Sequence, residues 1–202
     1  LNIGLSKGPL TLHLGYSRAR LDLRWGDPEF DRLQHALGAF PQGRLMLAEM
    51  QGNGASASFT SAGFHWDDNR WQLIGEYAVR RTSAFVNSAS GWHLTIGRHV
   101  GATTPYLRFA RNRQSSPIVS RNLSMGLPEI DAFNASRNNG QRSIGAGLRW
   151  DLHPNAAMKV ELARSRIEND GWGAFYPRGD ILSTRVSGRT VNTLSLSIDV
   201  VF

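Results

Sequence analysis

The stretch TVNTLSLSIDVVF, Thr190 to Phe202, decides the fold class because its residues alternate in polarity. Every second residue from Leu194 to Phe202 is large and apolar, whereas Ser195 and Ser197 lie between them. An alternation with a period of two is typical of a β-strand that has one apolar and one polar face. The stretch therefore predicts a strand over 190–202.

The same alternation recurs along the chain of 202 residues. It predicts further strands at 1–6, 9–22, 55–66, 70–81, 89–100, 104–113, 141–152 and 157–168. Most of these segments have about 9–12 residues, the length that a tilted strand needs to cross a bilayer. A membrane-spanning sheet is therefore a reasonable expectation.

The connections between these segments sort by length. Short turns are expected at 7–9, 67–69, 101–104 and 153–155, and longer polar connections at 23–54, 82–88, 114–140 and 169–189. Because consecutive strands run in opposite directions, all the short turns fall at one end and all the long connections at the other. Outer-membrane barrels have this arrangement, with tight periplasmic turns and long outside loops. We therefore expect an all-β, antiparallel transmembrane β-barrel of the outer-membrane type.

The longest connection, 23–54, has a helical pattern of its own. Asp27 suits the N-cap and Pro28 the first helical position. Apolar residues then follow at helical spacing from Phe30 to Leu37. We expect a long extracellular loop with a short amphipathic helix, which lies on the rim or folds into the barrel mouth.

Large aromatic residues gather at the level of the short turns. Trp66 and Trp71 flank one turn and Trp150 precedes another, while Phe202 ends the last strand on the same side. Aromatic girdles at the membrane interface have this placement in outer-membrane barrels. We assign these four residues to the membrane interface, with the end of a soluble core as the alternative.

The strand count bears on whether the barrel is complete. A single-chain bacterial barrel has an even number of strands, and eight strands from Pro9 onward would close one. Residues 1–6, however, predict a ninth, descending strand, and the ascending strand that should pair with its other edge is not among the predicted strands. We therefore expect 1–202 to be the C-terminal part of a larger barrel, with a single closed eight-stranded barrel domain as the alternative.

Four stretches carry a family resemblance. They are DDNRWQLIGEYAVRR (67–81), GWHLTIGRHVGATTPYLRFAR (91–111), SIGAGLRWDLHPNAAMKVELAR (143–164) and LSLSIDVVF (194–202). Together they resemble the last half of Gram-negative outer-membrane porins. The resemblance implies a barrel that is usually sixteen-stranded and often a homotrimer. It also implies that the barrel-assembly machinery recognises the C-terminal strand by its terminal phenylalanine.

The charge of the chain comes mainly from arginine. The sequence has 21 Arg and 2 Lys against 16 acidic residues, a net charge of +7, and no cysteine. A basic chain is compatible with nucleic-acid binding, but these arginines are scattered through alternating segments rather than clustered. We expect them in a polar wall or in loops, and we expect no nucleic-acid partner.

If the apolar residues face lipid, the charged residues between them face inward. An Arg or Lys on the lipid face near mid-bilayer costs about 2–4 kcal/mol, which supports this assignment. The predicted pore-lining residues are Glu76, Arg80, Arg108, Arg149, Asp151, Lys159 and Glu161, accompanied by His13, Gln72, His93, Thr95 and Asp199. We expect ion pairs between the strands 141–152 and 157–168. Fixed charges on a wet wall set a field for passing ions, and the excess of arginine favours anions; pure scaffolding is the equal alternative.

Patterns for enzyme chemistry are weak. The six histidines lack metalloprotease spacing, and the glycines at 145–147 lack the rest of a dinucleotide fingerprint. No nucleophile-elbow pattern is present. We therefore expect no catalytic residues, no metal site and no cofactor.

The leading hypothesis is a porin in the bacterial outer membrane, forming a passive, water-filled channel for small hydrophilic solutes or ions. Its expected partners are outer-membrane lipid, those solutes and the assembly machinery. A closed structural or adhesive barrel without conductance is the second hypothesis. An outer-membrane lipid hydrolase with a Ser–His pair is the third.

Overall fold

The computed structural model describes residues 1–23, 26, 28–124, 126–175 and 188–201, with the backbone alone at Pro28 and Glu29. The predicted N-cap Asp27, the terminal Phe202 and much of the connection 169–189 lie outside the described residues.

The strands follow one another along the chain. They are β1 (Asn2–Lys7), β2 (Leu10–Leu21), β3 (Ala55–Asp67), β4 (Trp71–Thr82), β5 (Ser88–Arg98), β6 (Thr103–Ser116), β7 (Gln141–His153), β8 (Ala156–Ile167) and β9 (Thr190–Val200). The predicted strands are confirmed, with bounds that differ by at most three residues. The alternation is local and extends over whole strands, which is why the sequence locates them so closely.

The strands form one antiparallel meander. Each strand pairs with its neighbours in the chain, so the order across the sheet is β1 to β9. The two edges are β1 and β9, and the described residues contain no pairing between them. The sheet is therefore open.

The register places the seven predicted pore-lining residues on one face. Arg108 pairs with Gly145, which pairs with Ala163, so even positions of β6 share a face with odd positions of β7 and β8. Glu76 reaches the same face through its pairing with His93. We call this side the charged face. The opposite side, which carries most of the large aliphatic and aromatic side chains of the strands, is the apolar face.

The charged face is the more crowded of the two. Along β8, Glu161 is only 6% exposed, whereas Leu162 beside it is 61% exposed. A water-soluble protein shows the reverse preference. Side chains converge on the concave side of a curved sheet, so this pattern indicates that the charged face is concave.

The short turns are compact and self-capped. In the β3–β4 turn, Asn69 adopts a φ of 64°, and asparagine tolerates this left-handed conformation better than most residues. The backbone N–H groups of Arg70 and Trp71 donate to Asp68 Oδ1 over 2.9 and 2.7 Å. These bonds favour the carboxylate and lower the pKa of Asp68.

The two longest described connections contain helices. The first, between β2 and β3, holds α1 (Pro28–Gly38) and α2 (Pro41–Met50), and the second, between β6 and β7, holds α3 (Arg121–Ser124) and α4 (Pro128–Arg137). Of these, only a helix like α1 was expected from the sequence. Both α2 and α4 begin with proline, the residue favoured at the first helical position. Among the described residues, no helix is long and apolar enough to cross a membrane.

The helices pack into a small separate core, which we call the loop cap. Its buried members are Phe30, Leu37, Met46, Leu47, Met50, Ile118, Val119, Ile130 and Phe133. Gly43 allows α1 and α2 to approach, because a Cβ there would lie 2.0 Å from the carbonyl oxygen of Leu37. Between the two connections, the backbone N–H of Ser120 donates to Glu49 Oε2 over 2.8 Å.

Met46→Ala should destabilise the loop cap while leaving the sheet intact. Met46 is 0% exposed, and truncating a buried methionine costs about 2–5 kcal/mol. Hydrogen exchange followed by mass spectrometry should show faster exchange in α2 and unchanged exchange in the strands. The control is Leu45→Ala, because Leu45 is 54% exposed. Equal acceleration in both variants would contradict the described packing.

Candidate functional site: a charged wall

Nine charged side chains of the strands share the charged face. They are Arg80, Arg108, Arg149, Lys159, Asp67, Glu76, Asp151, Glu161 and Asp199. We call this set the charged wall. It includes the seven predicted pore-lining residues, all of which the register brings to one side of the sheet.

Glu161 is the centre of the densest group in the wall. Its Oε1 accepts a hydrogen bond from Arg108 Nη2, and its Oε2 accepts one from Tyr106 Oη over 2.9 Å. Lys159 Nζ lies 3.9 Å from Oε2 and 5.2 Å from the centroid of the Tyr106 ring. The buried carboxylate therefore has hydrogen-bond or ion-pair partners on both oxygens, as a buried charge requires.

One glycine of β7, Gly147, makes this group possible. Gly147 pairs with Tyr106 on one side and with Glu161 on the other. A Cβ on Gly147 would lie 2.2 Å from Tyr106 Oη, so no other residue would leave room for the tyrosine. Gly145 lies beside Arg108, but a Cβ there would make only ordinary contacts of 3.5 Å. Side chains of β6 therefore reach across β7 to a carboxylate on β8.

A similar gap occurs on the same charged face, between β2 and β4 in the N-terminal half of the sheet. His13 of β2 and Glu76 of β4 both pair with Gly63 of β3. A Cβ on Gly63 would lie 2.4 Å from His13 Nε2. Across this gap, His13 Nε2 and Glu76 Oε1 are 3.9 Å apart.

The predicted ion pairs between β7 and β8 are wrong. Arg149 pairs directly with Lys159, so the register sets two cations opposite each other. Arg149 instead contacts Asp151 on its own strand, with Nη2 and Oδ1 2.9 Å apart. It also approaches Asp199 of β9, with Nη1 and Oδ2 3.9 Å apart. Likewise, Glu161 is paired along its own strand and with β6.

Arg80 is the wall arginine without an acidic partner among the described residues. Its Nε donates to the carbonyl oxygen of Asn87 over 3.1 Å, and its Nη2 donates to Asn87 Oδ1 over 2.8 Å. Both acceptors are neutral, so they hold the guanidinium in place without offsetting its positive charge.

A further pair lies at the short-turn end of the wall. His99 Nε2 is 3.1 Å from Asp67 Oδ2, and His99 Nδ1 is 2.9 Å from Thr104 Oγ1. The contact links the end of β3 to the β5–β6 turn.

The predicted interface aromatics that the structure describes lie on the apolar face near the short turns. Trp66 pairs with Leu73, Trp71 with Arg98 and Trp150 with Met158. The Arg98 guanidinium lies 5.3 Å from the centroid of the Trp71 ring. Phe202 is outside the described residues, and the membrane-interface role stays a prediction.

Sequence reasoning missed a second set of charges. Eight exposed arginines continue the apolar face toward the long connections: Arg18, Arg20, Arg81, Arg111, Arg113, Arg142, Arg164 and Arg166. Their signal was present, since each has the parity of the apolar residues in its own strand. All five acids within the strands, by contrast, lie on the charged face.

Comparison with known proteins establishes the architecture. No protein-family model matches the sequence, and no curated protein matches it significantly. Among solved structures, an anion-selective porin from Comamonas acidovorans superposes with a TM-score of 0.59 at 13% sequence identity, covering 100% of this chain and 48% of that one. The chain shares the fold of part of that porin.

The porin fold gives the open sheet its context. The chain spans about half the length of the matched porin, and its nine strands match part of the wall of that porin. In outer-membrane barrels the apolar residues of each strand point outward and the alternate residues point inward. The concave charged face corresponds to the inside of such a barrel.

The chemistry of the wall is electrostatic. Its acids and bases are held in hydrogen bonds and ion pairs along and between strands. Within the part of the chain that the structure describes, no group of three His, Cys, Asp or Glu residues could hold a metal ion. The wall therefore presents fixed charges of both signs on one face of the sheet.

Gly147→Ala should destabilise the fold by disrupting the contact between Tyr106 and Glu161. Overpacking of this kind costs about 1–3 kcal/mol. Urea unfolding of the refolded protein, followed by tryptophan fluorescence, would measure the change. In a Tyr106→Ala background the same substitution should cost little, because the clashing ring is gone.

Gly145→Ala is the matched control on the same strand and face. A Cβ there would meet its nearest atoms at 3.5 Å, an ordinary contact. This variant should unfold at the same urea concentration as the wild type or slightly higher. If Gly145→Ala lowers the free energy of unfolding as much as Gly147→Ala does, then the space above Gly147 is not what the Tyr106–Glu161 contact requires.

Proposed function

We propose that this protein is an outer-membrane porin, a passive water-filled channel for small hydrophilic solutes or ions. The observation that carries the proposal is the separation of the two faces. Fixed charges of both signs occupy the concave face of a porin-fold sheet, while large apolar side chains are exposed on the convex face.

The exposed apolar face supports a membrane location. Leu148, Val160 and Leu196 occupy directly paired positions on β7, β8 and β9. Leu162 and Leu194 form the neighbouring pair on β8 and β9, and all five side chains are exposed. Soluble monomers rarely expose contiguous apolar patches larger than a few hundred Å². Lipid is the solvent that would cover this face, and closed β-barrels and helices are the structures that span lipid.

The charged wall supports passage of hydrophilic solutes. Small residues on the charged face, including Ala78, Gly91, Ala110 and Ser143, line a depression of about 310 Å³ that also borders Glu76 and His93. It is open to solvent, so it is a surface depression rather than an enclosed binding pocket. The proposal assigns no catalytic step to these residues.

We infer only a weak preference for anions. The matched porin is named as anion-selective, and the chain is rich in arginine. The strands, however, contribute four basic and five acidic residues to the charged wall, and most arginines of the strands lie on the other face. A preference for anions would depend on Arg80, whose charge no described acid offsets. Trimer formation and recognition by the assembly machinery stay predictions of the resemblance.

Planar-bilayer recording would test the channel. The full-length gene product, refolded and shown to migrate differently on a gel with and without boiling, should give stable conductance steps. A protein that passes the gel test but gives no steps would overturn the proposal in favour of a non-conducting barrel.

Charge variants on the wall should change ion selectivity in opposite directions. Neutralising Arg80, Arg108 and Arg149 with glutamine should move the reversal potential in a salt gradient toward cations. Neutralising Glu76, Glu161 and Asp199 should move the reversal potential toward anions. Removing acids makes the electrostatic potential inside the channel more positive, whereas removing bases makes it more negative.

A matched control removes three arginines from the opposite face. Arg18→Gln, Arg20→Gln and Arg81→Gln change the net charge by the same amount outside the proposed channel. This triple variant should keep the wild-type reversal potential. If it shifts the potential as much as the wall variant does, the charged wall does not set selectivity.

A further inference from the structure

Four of the arginines on the apolar face form a cluster. Arg111, Arg142 and Arg166 occupy directly paired positions on β6, β7 and β8. Arg164 lies on β8 two residues nearer the short-turn end. We call these four residues the arginine cluster.

The cluster surrounds an accessible depression of about 470 Å³ on the apolar face. Trp92, Phe109 and Ile144 line it together with the arginines. All four arginines are exposed, so their guanidinium groups are available to a ligand. The charged wall lies on the other face, so the arginine cluster is not part of the wall of the proposed channel.

The cluster has little counter-charge of its own. Arg111 Nη2 lies 3.5 Å from Glu168 Oε1. The other three arginines make no ion pair with any residue that the structure describes. Directly paired residues of antiparallel strands are only about 4.5–5.5 Å apart, and like charges at such positions repel each other. An external anion would relieve this repulsion.

The cluster also lies at the edge of the apolar band. Toward the short turns, Arg142 of β7 is succeeded on the same face by Ile144 and Leu148. In the same direction, Arg164 of β8 is succeeded by Leu162 and Val160. A charged patch thus continues into a stripe of exposed aliphatic side chains running toward the short turns. The chemistry that matches both parts is an amphiphile with an anionic head and apolar tails.

We propose that the arginine cluster binds the phosphate headgroup of an anionic membrane lipid, whose acyl chains lie along β7 and β8 of the apolar face. Arginine suits this role because its planar fork donates two parallel hydrogen bonds to phosphate oxygens. Trp92 adds an amphipathic ring at the same level, as is usual at a membrane interface. The inference rests on the proposed membrane location, but not on conduction.

Lipid binding can be measured on the folded protein in neutral detergent. The full-length gene product is mixed with phosphatidylglycerol and phosphatidylcholine of identical acyl chains, and native mass spectrometry counts the lipids retained. The wild type should retain phosphatidylglycerol preferentially. Arg142→Gln, Arg164→Gln and Arg166→Gln together should reduce this preference at least about tenfold, since each arginine near a membrane surface contributes to the attraction of anionic lipid.

Two further variants separate the site from general charge. Replacement of the same three arginines by lysine keeps the charge and should keep a preference for phosphatidylglycerol. The triple variant Arg18→Gln, Arg20→Gln, Arg81→Gln removes equal charge from the same face and should bind like the wild type. An equal loss in the two glutamine variants, or no preference in the wild type, would overturn the proposal.

Inorganic phosphate in large excess distinguishes a lipid from a free anion. Retained phosphatidylglycerol supports a lipid site that also uses the apolar stripe, whereas complete displacement overturns it in favour of a simple phosphate site. Heat-modifiable migration verifies folding of each variant, and the single substitution Arg142→Gln serves if the triple variant fails to fold. Conductance is recorded in parallel: its absence from the wild type would count against the channel and leave the lipid comparison intact.

Discussion

The backbone hydrogen-bond register between neighbouring strands is the constraint on which the rest of this structure depends. Because side chains alternate across a strand, a slip of one residue would exchange the two faces of that strand. In β8 such a slip would carry Leu162 into the charged wall and Glu161 onto the apolar face. The burial of a carboxylate and the exposure of a leucine in adjacent positions are therefore two results of one pairing.

The register also decides which charges can meet. Directly opposite positions on β7 and β8 hold two cations, Arg149 and Lys159, so attraction between nearest strands is not available there. The glycines of β3 and β7 solve this by leaving gaps that side chains of the flanking strands can cross. Charge pairing consequently links strands that share no backbone hydrogen bond, such as β6 and β8, so each contact connects three strands.

The sequence predicts features that depend on one strand and misses those that depend on several. The nine strands and their turns follow from local alternation and chain direction, and the structure and the porin comparison agree with them. The prediction of ion pairs between β7 and β8 was wrong because the sequence does not give the register. Each strand carries a base and an acid two residues apart, but the register sets Arg149 opposite Lys159. The arginine cluster was missed for a similar reason: Arg111, Arg142 and Arg166 are far apart in the chain, and only the register makes them neighbours. The second helix of the first long connection was missed because its buried face is defined by packing against both α1 and the other connection.

The loop cap has a consequence for the order of assembly. Its core joins Met46 and Met50, which precede β3, to Ile130, which follows β6. The four strands from β3 to β6 lie between these partners in the chain, so the cap closes a loop of high contact order. Hairpins of neighbouring strands form from local contacts. A contact between residues far apart in the chain carries the entropic cost of closing the loop between them, and this cost falls once the intervening strands have paired. We therefore expect the cap to form late in folding, after the hairpins of β3 to β6.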